Sequence, residues 1–129
     1  MMSWQTILAI GSGGFIGAVS RAYLNGLINR NVPHELPFGT LGVNVLGSLI
    51  LGILFALFTY TQIFSTPIKS FLSTGMMGAL TTYSTFALET FWLLNQGSLT
   101  LGLINITLNV IATILAAGGG FKAVEYFLK

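Results

Sequence analysis

The sequence predicts an all-α membrane protein with four transmembrane helices, and three observations predict it. Of the 129 residues, 53% are hydrophobic and only 6% are charged, whereas about a quarter of the residues of a soluble domain carry charge. One helical crossing of a bilayer takes roughly 20 apolar residues, so four crossings use most of this chain. The apolar stretches are continuous and lack the alternation of barrel strands, which favours helices.

Short polar stretches divide the chain into four apolar segments of a single domain. We place the four spans at about residues 4–28, 38–60, 67–94 and 99–121. A polar loop with Pro33 and Pro37 separates the first two, Pro67 opens the third, and the turn at 95–98 precedes the fourth. A short tail with Lys122 and Lys129 is expected to follow the last span.

Small residues mark one face of the first segment. Gly13 and Gly17 are four residues apart, and Gly14 and Ala18 form an overlapping pair. Small residues at this spacing let helices approach closely in a membrane, so we expect this face to pack against another helix.

Polar residues recur along one face of the second and fourth segments. The stripes are Thr40, Asn44 and Ser48 on the second, and Gly102, Asn105, Asn109, Thr113 and Ala116 on the fourth. Polar groups inside a membrane need hydrogen-bond partners. The stripes therefore have two interpretations: they form interhelical hydrogen bonds, or they line a water-filled pathway.

The third segment is expected to be broken near the middle of the membrane. Residues 73–86 combine two glycines with a run of hydroxyl side chains, both of which lower helix propensity. A break in lipid is tolerated where the freed backbone groups find partners or water, and such half-helix ends are familiar ion sites. Tyr83 and Phe86 share a face there, and an aromatic edge is electropositive enough to favour an anion.

The distribution of basic residues predicts insertion in both orientations. With four spans, one side carries Lys69, Lys122 and Lys129, and the other carries Arg21 and Arg30. Because the Lys and Arg bias fixes topology, three against two leaves almost no preference. An antiparallel homodimer is then the natural way for so small a chain to enclose a pathway.

Three motifs, in order along the chain, resemble those of the small bacterial and archaeal fluoride channels, the Fluc or CrcB-type family. They are residues 13–21 (GGFIGAVSR), 39–48 (GTLGVNVLGS) and 75–86 (GMMGALTTYSTF). The likeness covers nearly the whole chain, and the motifs together are highly specific although each alone is weak.

The resemblance implies a dual-topology homodimer in a prokaryotic plasma membrane that passively exports cytoplasmic fluoride and so reduces its toxicity. The implied pathway uses uncharged groups: the amide of Asn44, the aromatic edges of Tyr83 and Phe86, and the hydroxyls of Ser84, Thr85 and Thr113. Arg21 and Glu89 would lie in the vestibule. Backbone carbonyls of Gly78 and Thr81 would hold a structural Na⁺ at the dimer interface. Tyr83 departs from the family motif, which has Phe, and its hydroxyl adds a competing donor.

Other classes of function fit the sequence less well. The alternative is a dual-topology multidrug/proton antiporter, which needs a carboxylate in its first helix, and residues 4–28 contain no Asp or Glu. An assembly subunit without transport is a further class. An enzyme is disfavoured because the three acids are scattered and no nucleophile–base pair is apparent. The absence of cysteine excludes thiolate metal sites, and a net charge of +2 without a basic cluster gives no sign of nucleic-acid binding.

Overall fold

The computed structural model describes residues 1–129, and every regular element in it is helical. The elements are α1 (Trp4–Asn31), α2 (Phe38–Tyr60), α3 (Thr66–Ser70), a π-helical segment (Phe71–Met77), α4 (Gly78–Leu80), α5 (Tyr83–Asn95) and α6 (Leu99–Leu128). Three of them, α1, α2 and α6, are long and apolar enough to cross a membrane. The predicted all-helical, multi-pass membrane fold is therefore confirmed at this level.

Helix α6 extends well beyond the predicted end of the fourth span. The chain after residue 121, predicted as a short tail beyond the span, is helical, since α6 continues to Leu128 and includes Lys122. Two contacts hold the extension: Lys122 Nζ lies 2.9 Å from Glu125 Oε1, and Tyr60 Oη donates to Glu125 Oε2 at 2.6 Å. The first charged residue therefore marks the end of the apolar stretch and not the end of the helix.

Helix α1 packs closely on the third segment through glycine. An added Cβ on Gly13 would collide with the carbonyl oxygen of Phe71, and one on Gly17 with that of Met76. Gly75 faces α1 in return, since its Cβ would lie 2.9 Å from the Ile10 carbonyl oxygen. The predicted small-residue contact is confirmed for Gly13 and Gly17, whereas a Cβ on Gly14 would meet no atom within 4 Å.

Helices α2 and α6 approach each other in the same way. A Cβ on Gly52 would collide with the Ala117 carbonyl oxygen, and one on Gly120 would lie 2.6 Å from the Leu49 carbonyl oxygen. Two close backbone contacts along these helices align the polar stripe of α2 with that of α6.

The third segment is interrupted at Thr81 and Thr82, as the sequence predicted in outline. Thr81 (φ −86°, ψ 155°) and Thr82 (φ −148°, ψ 111°) are extended. The glycines do not break the helix: Gly75 lies in the π-helical segment and Gly78 opens α4. The break follows them, at two adjacent β-branched residues that favour extended backbone. The π-helical turn was not predicted, and such turns are frequent at functional sites.

Candidate functional site

The side chain of Asn44, on α2, pairs with the backbone at the break. Its Oδ1 accepts from the Thr82 N–H at 2.7 Å, and its Nδ2 donates to the Thr82 carbonyl oxygen at 3.3 Å. Asn44 is buried, with 8% of its surface exposed, and Thr82 is 6% exposed. The backbone N–H and carbonyl group of Thr82 lose their hydrogen-bond partners where the helix is interrupted. A carboxamide has the donor and acceptor of a peptide group, so the Asn44 side chain replaces those partners.

Thr82 also caps the N-terminus of α5. Its Oγ1 accepts from the Thr85 backbone N–H at 3.2 Å and donates to Thr85 Oγ1 at 2.9 Å. This satisfies one of the amide groups that a helix N-terminus leaves without an intrahelical partner.

The two side-chain contacts at the break remove donors from two carbonyl groups. In a continuous α-helix the carbonyl of Gly78 would accept from the Thr82 N–H, and that of Thr81 from the Thr85 N–H. The Thr82 N–H instead donates to Asn44, and the Thr85 N–H donates to the Thr82 hydroxyl. Gly78 and Thr81 therefore present carbonyl oxygens without their helical donors, and oxygen atoms of this kind are ligands for hard cations.

The two predicted polar stripes meet in a buried chain of hydrogen bonds. Asn44 Nδ2 donates to Asn109 Oδ1 at 3.2 Å, and Asn109 Nδ2 donates to Asn105 Oδ1 at 3.1 Å. Asn105 Nδ2 then donates to Thr90 Oγ1, on α5, at 2.9 Å. The chain connects α2, α6 and α5, and its two inner members are only 2% (Asn105) and 4% (Asn109) exposed.

An open groove of about 260 Å³ lies beside the break. It is lined by Asn44, Ser48, Leu51, Thr81, Thr82, Tyr83, Phe86, Asn109, Val110 and Thr113. Every polar group in this lining is an amide, a hydroxyl or a backbone group, and no lining side chain carries a formal charge at neutral pH. An anion in the groove would therefore meet dipoles and no fixed charge.

Tyr83 and Phe86 form an edge-to-face pair at this groove. Their ring centroids are 5.4 Å apart and the rings are inclined at 67°. Phe86 is 7% exposed whereas Tyr83 is 79% exposed, so one ring lies in the wall and the other projects from the chain. Their shared helical face, predicted from the sequence, is confirmed.

The other residues predicted for the pathway lie around this groove in different ways. The Thr113 hydroxyl lines the groove and donates to the Asn109 carbonyl oxygen of its own helix. Ser84 is exposed, and its Oγ lies 3.5 Å from Thr82 Oγ1. Thr85 is half-buried and hydrogen-bonded to Thr82, so neither Ser84 nor Thr85 contributes to the groove lining.

The two residues predicted for a vestibule lie away from the groove. Arg21 is half-buried on α1 and forms no salt bridge. Glu89 lines a second groove of about 260 Å³ near the start of α2, together with Glu35, Pro37 and Trp92. Its Oε1 and Thr40 Oγ1 are the buried side-chain oxygens without a hydrogen-bond partner.

Comparison with known proteins places the chain in a family. The sequence profile described as CrcB-like protein, Camphor Resistance (CrcB), matches residues 8–121, which include the break and every residue that lines the groove. The chain belongs to the CrcB-like family.

Similar CrcB-like proteins align over almost their whole length. The protein of Sulfurimonas denitrificans, named fluoride-specific ion channel FluC, is 65% identical over 128 residues, covering 99% of both chains. Proteins of the same name from Nautilia profundicola and Campylobacter jejuni strain 81-176 are 53% and 46% identical. These alignments cover 99% and 91% of this chain and 100% and 95% of the relatives.

Sequence reasoning missed the roles of Thr82 and Thr90 in this CrcB-like protein. The position of Thr82 before a helical stretch is a signal for a helix N-cap, and it would have identified the start of α5. Thr90 gave no such signal, because a threonine on an apolar helix usually bonds only to its own backbone. Its contact with Asn105 depends on how α5 and α6 are placed relative to each other.

Proposed function

We propose that this CrcB-like protein is a fluoride-selective channel that lets cytoplasmic fluoride leave the cell passively. The observation that carries the proposal is the uncharged groove at the helix break, which holds the Tyr83–Phe86 pair. The relatives support it, since the proteins that are 65%, 53% and 46% identical over 91% or more of this chain bear the name fluoride-specific ion channel. That name describes channels and not enzymes, and the bacterial sources of the relatives support a place in the plasma membrane.

The chemistry of the groove suits a small, strongly hydrated anion. Conduction requires that the ion exchange its water for other donors and still leave quickly. Amide, hydroxyl and aromatic C–H groups from Asn44, Thr113, Tyr83 and Phe86 replace hydration without the strong attraction of a buried cationic side chain. Ser84 and Thr85 would extend this set of donors at the start of α5. Arg21 would lie in a vestibule and raise the anion concentration near the entrance, and Glu89 would also line a vestibule.

A second copy of the chain is needed to enclose this pathway. The groove is open, and Tyr83 projects from the chain with 79% of its surface exposed. We propose an antiparallel homodimer, because the nearly even distribution of Lys and Arg gives each copy little orientation preference. The third segment would make the fourth crossing, with residues 66–80 and α5 as its two halves.

The carbonyl groups at the break fit a structural Na⁺ between the two copies. Gly78 and Thr81 each offer an oxygen that lacks its helical donor, and Gly78 is exposed on the chain surface. One chain supplies two such oxygens, and a symmetry-related copy would supply two more. The bound ion would neutralise the negative ends of carbonyl dipoles that meet at the dimer axis.

The test is anion efflux from liposomes that contain the purified protein. We expect fluoride efflux with little chloride efflux, and liposomes that retain fluoride would contradict the proposal. Asn44→Asp should reduce fluoride efflux strongly while leaving a folded dimer. The substitution removes the amide donor and places a carboxylate against the backbone carbonyl oxygen of Thr82 and the side-chain Oδ1 of Asn109. Unchanged efflux would contradict the assigned pathway.

The antiporter alternative is not supported by the comparisons. None of the three relatives described above is named as a drug transporter, and α1 contains no Asp or Glu. Proton-coupled uptake of an organic cation into the same liposomes would be the result that favours it.

A further inference from the structure

The buried asparagine chain has a fixed direction, which is set independently at both of its ends. At the first end, the Thr82 N–H has only a hydrogen to give, so Asn44 must present its Oδ1 to it. At the other end, Thr90 Oγ1 donates its single hydrogen to the Phe86 carbonyl oxygen at 2.8 Å. The hydroxyl then acts only as an acceptor toward Asn105, which must present its Nδ2.

The middle of the chain agrees with both ends. Asn109 Nδ2 also donates to the Asn105 backbone carbonyl oxygen at 3.0 Å, and a carbonyl can only accept. The amide of Asn109 is thus oriented with its nitrogen toward Asn105 and its oxygen toward Asn44. A flip of any one carboxamide would place two donors or two acceptors against each other in a buried site, which is costly.

The two ends of this chain flank the aromatic pair. One end holds Thr82, the residue before Tyr83, and the other end holds the carbonyl group of Phe86 through Thr90. The route between them leaves α5, passes through α6 and α2, and returns to the N-cap of α5. Hydrogen bonds from side chains of α2 and α6 therefore hold the first turn of α5 in place, and this turn carries Tyr83 and Phe86.

We propose that Thr90, Asn105 and Asn109 are positioning residues that act through Asn44. Their directed hydrogen bonds fix the Asn44 carboxamide on Thr82, and this fixes the backbone at the break and the placement of the Tyr83–Phe86 pair. None of the three needs to touch the permeating ion. The effect on fluoride efflux rests on the proposed function, whereas the effect on the Thr82 amide does not.

The experiment removes the acceptor at the far end of the chain and observes the near end. Thr90→Val and Thr90→Ala both delete the hydroxyl, and the smaller alanine avoids any overpacking. Thr90→Ser restores it. Thr59→Val is the matched control, because the exposed Thr59 hydroxyl makes the same bond to the residue four positions earlier (2.7 Å to Phe55 O) and no other. Hydrogen exchange of the Thr82 amide is measured by NMR in nanodiscs, and fluoride efflux in liposomes.

We expect Thr82 exchange to increase about tenfold in Thr90→Val and Thr90→Ala, since a buried polar group loses its partner. The amides of α5 beyond its first turn should keep their exchange rates, and fluoride efflux should fall by a similar factor. Thr90→Ser and Thr59→Val should match the wild type in both measurements.

Several results would overturn the proposal. These are unchanged Thr82 exchange in both variants, a uniform increase across α5 and α6, or a failure of both variants to fold while Thr90→Ser folds. The last two would assign the Thr90 hydroxyl to general stability. Faster Thr82 exchange with normal efflux would show that the structure of the break does not affect fluoride permeation, and this would contradict the positioning role. If the wild-type protein passed no fluoride, the proposed function would be contradicted. The exchange rate of the Thr82 amide would still test whether Thr90 acts through the hydrogen-bond chain.

Discussion

Phe86 combines burial with contact to the groove, so its ring is held in place by the fold. It is 7% exposed and meets the ring of Tyr83 edge to face, with centroids 5.4 Å apart. Phe86→Ile keeps an apolar side chain but removes the electropositive ring edge. We expect fluoride efflux to fall by about fivefold, because an aromatic contact of about 1 kcal/mol is lost where the anion meets this ring. Normal efflux from a folded dimer would show that the ring edge does not contact the ion.

Tyr83 offers the complementary test, because its hydroxyl is the part that departs from the family motif. The side chain is 79% exposed, and its hydroxyl forms no hydrogen bond within the chain. Tyr83→Phe keeps the ring and deletes a donor that competes for the ion, so we expect fluoride efflux equal to or above that of the wild type. Tyr83→Ile, which removes the ring, is the contrasting variant and should lower efflux. Reduced efflux in Tyr83→Phe would instead make the hydroxyl part of the pathway.

Residue types and spacing predicted the lining residues better than they predicted hydrogen-bond partners. The four-residue spacing of Asn44 on one stripe and of Asn105 and Asn109 on the other placed each set on one face, and the structure joins the two sets. The pairing of Asn44 with Thr82 was not predictable, because it spans 38 residues and depends on where the helix breaks. Sequence spacing indicates which residues share a helix face, but which helix faces come into contact is determined by tertiary packing.

The contact between α1 and the π-helical segment is made by backbone atoms, so it tolerates no added side chain. In Gly17→Ala the new methyl would collide with the Met76 carbonyl oxygen, whereas in Gly14→Ala it would meet no atom within 4 Å. We expect Gly17→Ala to lower the free energy of unfolding by about 1–3 kcal/mol, as overpacking does, and Gly14→Ala to leave it unchanged or higher. Unfolding of both variants in mixed detergent micelles measures the difference. Equal stabilities would contradict the close approach of α1 to this segment.

The elements themselves were predicted with uneven success, for physical reasons. The second predicted span, residues 38–60, coincides with helix α2, and the fourth begins where α6 begins, after the turn at 95–98. Helix α6 continues beyond the predicted span because hydropathy indicates only the stretch that can cross the bilayer, whereas a helix continues as long as its backbone hydrogen bonds do. The break was expected among glycines and hydroxyl residues, and it occurs where Asn44 and the Thr82 side chain supply new partners for the backbone.

On the scale of the whole molecule, one chain has the parts of a pathway but not its enclosure. Its groove is open, Gly78 is exposed and the ring of Tyr83 projects from the chain, and in the proposed dimer a second copy would cover these groups. Sequence reasoning reached the same expectation by another route, from the even distribution of five Lys and Arg residues. The open groove calls for a second copy, and the balanced charge favours opposite orientations of the two copies.

The orientation of the copies can be measured with single cysteines, because the natural sequence has none. Gln62 lies in the stretch between α2 and α3, and Gln96 lies in the turn between α5 and α6; both are exposed and uncharged. If the third segment crosses the membrane, these two positions lie on opposite sides. With nearly balanced charge, we expect a membrane-impermeant maleimide applied to intact cells to label about half of Gln62→Cys and about half of Gln96→Cys. Complete labelling of one variant and none of the other would mean a single orientation, and an antiparallel pair with two pathways would then be impossible.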